Sequence, residues 1–284
     1  MPRAGVAAVL ALTASLVAGP AWAQGKSGKA PGASHGHQPG GGNGPKTPSA
    51  PTPSPATASF TSWIDDATLL DPKTVWVAFS AGEWNSPAGR AIEAPVTAVV
   101  AGVAPHVGVG AGVPVDTFRD NTGATSTGLG DVSLFAKVGV IDPASHAVGI
   151  AVSPIVQIST PTDGTSGREA NWALPVSLEV RGAHGRVYGT GGYFSSGSVF
   201  ASGAVELRPA PRLALTGMLG HTYAVRSDTV PLGESRHRTD VSGSVALLLS
   251  MRAAVFASVG HAFSGNAAAD GGPWIAAGFA FRTH

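Results

Sequence analysis

The chain of 284 residues contains no cysteine, so no disulfide framework, thiolate metal site or cysteine nucleophile is available to it. Charge is scarce as well: 12% of residues are charged and the net charge is +1, which leaves no basic stripe of the kind a nucleic-acid binder needs. Beyond the first twenty residues there is no run of the ~18 or more apolar residues that a membrane-spanning helix requires. Yet mean hydropathy is +0.17. Apolar residues are therefore plentiful but dispersed, as they are when they occupy alternate positions along many strands.

The beginning of the chain reads as a secretory signal. Arg3 precedes an apolar run from Val6 to Val17, and Ala21-Trp22-Ala23-Gln24 has the small-x-small pattern of a signal-peptidase site. Residues 1–23 are expected to be removed on export. Residues 24–59, rich in Pro, Gly and Ser, hold almost no large apolar side chain and are expected to be a disordered linker. His35 and His37 lie within it; two histidines in such a segment fall short of a metal-ligand set, and no metal or other cofactor is expected.

From residue 60 to 284 the dominant period is two. The run Gly128 to Val140, GLGDVSLFAKVGV, places Val132, Leu134, Ala136, Val138 and Val140 on one face and Asp131, Ser133 and Lys137 on the other. About twelve such segments follow one another: 74–84, 95–103, 106–115, 128–140, 147–159, 171–182, 186–194, 199–208, 212–223, 239–249, 253–263 and 273–282. Alternation is poor in the second and seventh. The connections sort by length, with short ones at 104–105, 142–145, 183–185, 209–211 and 250–251. Longer ones fall at 85–94, 116–127, 160–170, 224–238 and 264–272, and only 195–198 breaks the order. This pattern predicts an all-β fold, a transmembrane antiparallel up-and-down β-barrel of about twelve strands in the bacterial outer membrane. The short turns would face the periplasm. Pro154 and Pro175 fall inside adjacent segments, where each removes a ladder hydrogen bond and implies a bulge or a shift of register.

If the apolar parity faces lipid, the other parity lines the lumen. It carries Asp131, Lys137, Gln157, Glu179, Arg181, Glu206, Arg208 and Asp240, with Lys137, Glu179, Arg181, Glu206 and Arg208 gathered toward the periplasmic end. Such a mixed-charge group acts as a constriction that filters solutes, or neutralises itself in a filled interior. Phe135 has inward parity, against the simple pattern. Trp172, Tyr223 and Phe263 have lipid-facing parity at the extracellular ends of their strands, where an aromatic girdle belongs; Trp84 and Trp274 share that level but point inward. Partners expected on these grounds are outer-membrane lipid and lipopolysaccharide, a small-molecule solute, and the barrel-assembly machinery.

Asp65-Asp66-Ala67 before the first strand, the GLGDV run with Lys137 six positions after its aspartate, and the succession of meander strands resemble the outer-membrane transporter-like barrels grouped with the phenol-degradation MetA-pathway family. The resemblance spans most of the chain from Phe60 onward. It implies a monomeric or loosely associated channel for small solutes, hydrophobic ones among them, and no catalytic residues. The chain departs from the usual barrel pattern at its end, where Phe281 is followed by Arg282-Thr283-His284. By residue type alone, Asp65 and Asp66 read as turn or capping residues rather than as a site.

An enzyme is not expected. A serine–histidine dyad on one strand face needs His-x-Ser, whereas His261 and Ser264 are three apart, and no serine lies two residues after His221. Glu234 to Arg238, ESRHR, reads as a solvated extracellular loop. The expected function is passive passage of small solutes through the lumen; the alternative is a non-conducting structural or surface-interaction barrel.

Overall fold

The computed structural model describes residues 65–86, 89–143, 145–158, 160, 170–225, 236–264 and 272–283. Residues 1–64, with the expected signal and linker, lie outside it, as do most of 160–170, 224–238 and 264–272.

Fourteen strands form one sheet: β1 (Val75–Ser86), β2 (Gly89–Ala104), β3 (Val107–Asp120), β4 (Thr125–Leu129), β5 (Val132–Ile141), β6 (Val148–Val152), β7 (Ile155–Ile158), β8 (Ala170–Arg181), β9 (Gly185–Phe194), β10 (Ser198–Ala210), β11 (Leu213–Ala224), β12 (His237–Ser250), β13 (Ala253–Ser264) and β14 (Gly272–Thr283). β4 and β5 both pair with β3, and β6 and β7 both pair with β5 and β8, so each couple is one interrupted stave. All pairings are antiparallel, and the circuit of 12 staves closes where β1 meets β14, from Val75↔Thr283 to Trp84↔Trp274. At that seam β1 and β14 are each paired on both sides, so neither is an edge strand. The twelve segments expected from period two correspond one to one with these staves.

The interruption between β6 and β7 has a local cause. Pro154 has no N–H to donate, and the chain breaks between β6 and β7 at Ser153-Pro154. Pro175 stays within β8 opposite Gly192, and its carbonyl accepts from Ser153 N at 3.0 Å. Between β4 and β5 the break falls at Gly130-Asp131, where Gly130 N still donates to Pro114 O at 3.0 Å.

Two expected long loops are shorter than the sequence pattern implied. Most of 85–94 is paired, with Trp84↔Ala91 and Asn85↔Arg90 extending the hairpin. Most of 116–127 is likewise ladder, and the remaining turn is held by Asp120 Oδ1, which accepts from Thr122 N and Ala124 N, both at 2.9 Å. The first hairpin hides its pairing from a period-two reading because a bulge in β2 between Glu93 and Val96 shifts the parity.

Alternation assigns the two faces as expected. In β8 the outward Leu174, Val176, Leu178 and Val180 are 46–51% exposed, while the inward Ala173, Ser177 and Glu179 are 0–2% exposed. The lumen is not uniformly polar. Trp84, Phe256, Trp274 and Leu248 form one inward apolar cluster, and Trp76, Val100 and Leu70 belong to another. Phe135 packs against the second of these and against Ile155 and Phe200. Its ring lies over Gly110 on β3, where a Cβ would stand 2.3 Å from Phe135 Cζ, so the neighbouring glycine is what admits an inward phenylalanine.

Candidate functional site

The segment 65–74 enters the barrel at its near end, the end at which Thr74 leads into β1. Its backbone joins β2 there, with Lys73 N donating to Gly102 O at 2.8 Å and Gly102 N to Thr74 O at 2.9 Å. A Cβ on Gly102 would stand 2.3 Å from Asp71 O, and one on Gly139 of β5 would stand 2.2 Å from Leu69 Cδ1. These two glycines leave the room the segment occupies. From β2 it crosses to the opposite wall, where Asp65 and Thr190 of β9 exchange bonds: Asp65 N donates to Thr190 Oγ1 at 2.9 Å, and Thr190 Oγ1 to Asp65 O at 2.5 Å.

Asp65 and Asp66 are thus buried lumen residues, and the turn-or-cap reading of them is corrected. The local turn does exist, since Thr68 N donates to Asp66 Oδ1 at 2.9 Å. The remaining oxygens reach the wall. Asp65 Oδ1 is 2.5 Å from Lys137 Nζ, and its Oδ2 accepts from Ser153 Oγ at 2.8 Å. Asp66 Oδ2 accepts from Arg186 Nη1 at 2.6 Å, and its Oδ1 stands 3.4 Å from Lys137 Nζ. Burial alone would raise the Asp66 carboxyl above the usual carboxylate range; the charges of Arg186 and Lys137 outweigh burial and hold it below that range.

From Arg186 the network continues around the wall. Arg186 bonds Glu206 at 2.7 Å and Glu179 at 3.2 Å, and it lies over the Tyr188 ring at 4.7 Å. Arg181 pairs with Glu179, and Arg208 with Glu206, both at 2.6 Å. Thr68 Oγ1 donates to Glu179 Oε2 at 2.9 Å and accepts from Arg181 Nη2 at 2.7 Å. Lys137, Arg181, Arg186 and Arg208 face Asp65, Asp66, Glu179 and Glu206 in one continuous chain of ion pairs, four cations against four carboxylates. Lys137, Glu179, Arg181, Glu206 and Arg208 all lie in this near-end network. Arg186 was missed because β9 alternates poorly: glycines at 189 and 191 interrupt the outward face, between Val187 and Tyr193, that would have set its parity.

The other candidates lie apart from this group. Asp131 accepts from Gln157 Nε2 at 2.9 Å toward the far end of the lumen, on the same side as the cross-strand neighbours Glu93 and Asp116. Asp131 and Lys137 are not paired, as their separation along the chain required. Asp240 is bound by Arg238 of its own strand at 3.1 Å. Trp172 and Phe263 project outward at the far end, Trp172 against Tyr193 with ring centroids 5.9 Å apart. Tyr223 is half-buried, 4.8 Å from the His237 ring. Trp84 and Trp274 are buried inside, as their parity required. His261 stacks on Phe263 at 4.4 Å. No group of three or more metal-ligating side chains is found among the described residues.

No protein-family model and no curated protein sequence matches the chain. Solved structures do share the fold. An outer-membrane channel of the COG4313 group from Pseudomonas putida F1 aligns with a TM-score of 0.55 at 12% identity, covering 77% of this chain and 98% of that one. The NanC porin aligns with a TM-score of 0.54 at 8% identity, over 72% and 98% of the two chains. The KdgM porin aligns with a TM-score of 0.51 at 8% identity, over 74% and 99%. These three are outer-membrane channels or porins, and what the likeness carries to this chain is the barrel fold.

Proposed function

We propose that this chain is an outer-membrane channel for small solutes, exported by the signal in residues 1–23, and that residues 65–74 hold it in a resting state. The observation that carries the reading is that one closed circuit of strands presents two solvents: an apolar exterior and a lumen with charged groups. Water does not favour a continuous exposed belt of Leu and Val, at ~1.5–3 kcal/mol for each side chain left out of an apolar medium, so the exterior fits lipid. Trp172, Tyr223 and Phe263 would then meet the lipid headgroups and lipopolysaccharide, and the assembly machinery would insert the barrel. The polar and charged lumen residues Asp131, Lys137, Gln157, Glu179, Arg181, Glu206, Arg208 and Asp240 would set which solutes pass.

A second reading, a non-conducting barrel, is favoured by the complete pairing of the near-end charges. Planar-bilayer recording separates the two. The channel reading expects sparse conductance steps from the full chain and frequent ones from Asp65→Asn/Asp66→Asn. Silence from both proteins, each shown to be folded by heat-modifiable gel mobility, would leave the non-conducting reading.

A further inference from the structure

We propose that Lys137 and Arg186 form a carboxylate-binding site in the lumen, occupied in the resting chain by Asp65 and Asp66, which takes small dicarboxylate solutes when residues 65–68 leave. Three observations carry it. The partners of Lys137 Nζ are Asp65 Oδ1 at 2.5 Å, Asp66 O at 3.0 Å, Asp66 Oδ1 at 3.4 Å and Thr68 O at 3.4 Å, all of them on the segment. Arg181 and Arg208, by contrast, each bond the carboxylate two residues earlier on their own strand. The wall therefore satisfies those two arginines by itself and leaves the buried Lys137 ammonium to be satisfied by something placed in the lumen. An ammonium in that position without a counter-charge is strongly disfavoured, so the vacated site selects an anion.

Charge balance points the same way. With the segment in place the wall's four cations meet four carboxylates; without Asp65 and Asp66 they meet only Glu179 and Glu206, an excess of two positive charges. Finally, the donors suit carboxylate oxygens and are already arranged around two of them. Lys137 and Arg186 hold opposite oxygens of the single Asp66 carboxylate, while Ser153 Oγ reaches the free oxygen of Asp65. A dicarboxylate of short span reproduces what Asp65 and Asp66 present.

The inference deepens the channel reading and rests on it for its biological sense, but binding is read without conduction. Succinate is titrated calorimetrically into the full chain, into Asp65→Asn/Asp66→Asn and into Asp65→Lys/Asp66→Lys, each in detergent and checked for heat-modifiable mobility. Binding is expected in at least one of the two variants, none in the unmodified chain, and a loss of about tenfold or more when Lys137→Gln is added. Putrescine, the same length with opposite charge, should not bind. No succinate binding in either variant, or equal binding with Lys137→Gln present, overturns the site. Binding without conductance would uphold the site and sink the channel.

Discussion

Lys137 Nζ and Asp65 Oδ1 lie 2.5 Å apart, although 72 residues separate them, and both side chains are buried. Removing only one member strands the other charge. Lys137→Met should loosen the segment by about 3–5 kcal/mol, and adding Asp65→Asn should recover part of that loss. Hydrogen exchange at residues 65–74 reads it: those amides should exchange faster in Lys137→Met while the ladders of β8 and β9 keep their protection.

The near-end glycines make a second, purely steric prediction. Gly102→Ala sets a methyl against the backbone oxygen of Asp71, which cannot move without the segment. Gly139→Ala meets only the tip of the Leu69 side chain, which can turn aside. Gly102→Ala should therefore release residues 65–74 at a cost of about 1–3 kcal/mol with every charge intact, and Gly139→Ala should cost much less. Comparable exchange profiles for the two variants would count against this placement.

Gly110 and Phe135 form a coupled pair across β3 and β5. Gly110→Ala should destabilise the barrel, and Phe135→Ala in the same chain should relieve the clash. A double-mutant cycle by urea titration should return a coupling of ~0.5–3 kcal/mol.

The seam is testable because the chain has no cysteine of its own. Ala81 and Ala277 are cross-strand partners on the outer face of β1 and β14, whereas Ala276 points into the lumen. Ala81→Cys/Ala277→Cys should oxidise to a disulfide within one chain, and Ala81→Cys/Ala276→Cys should not, because a shift of one residue reverses the face. Mobility on a non-reducing gel distinguishes them.

Period two made the staves legible because outward positions all need the same apolar character, whatever lies inside. It carried the parity of Lys137, Glu179 and Glu206 for the same reason. It failed at Arg186, whose strand is rich in glycine, and at the hairpin beyond Trp84, where a bulge in β2 resets the face. Asp65 and Asp66 could not be placed from the strand pattern at all. Their partners lie 72 and 120 residues away, and only closure of the barrel brings Lys137 and Arg186 to them. One signal was present: two adjacent acids just before the first strand match, in charge and number, the excess of two lumen cations over the carboxylates of the wall.

The continuity of residues 65–74 with β1, and the pairing of β1 with β14, bear on the order of assembly. The segment is tethered to one side of the seam that shuts the circuit. Fed in afterwards, it would have to carry two carboxylates past the apolar near-end wall of Trp76, Ala78 and Val100. Laid down beforehand, it gives Lys137 and Arg186 their counter-charges while the sheet is still open. In that order the last strand would dock onto a barrel already filled, with the two aspartates inside the wall before it is drawn shut.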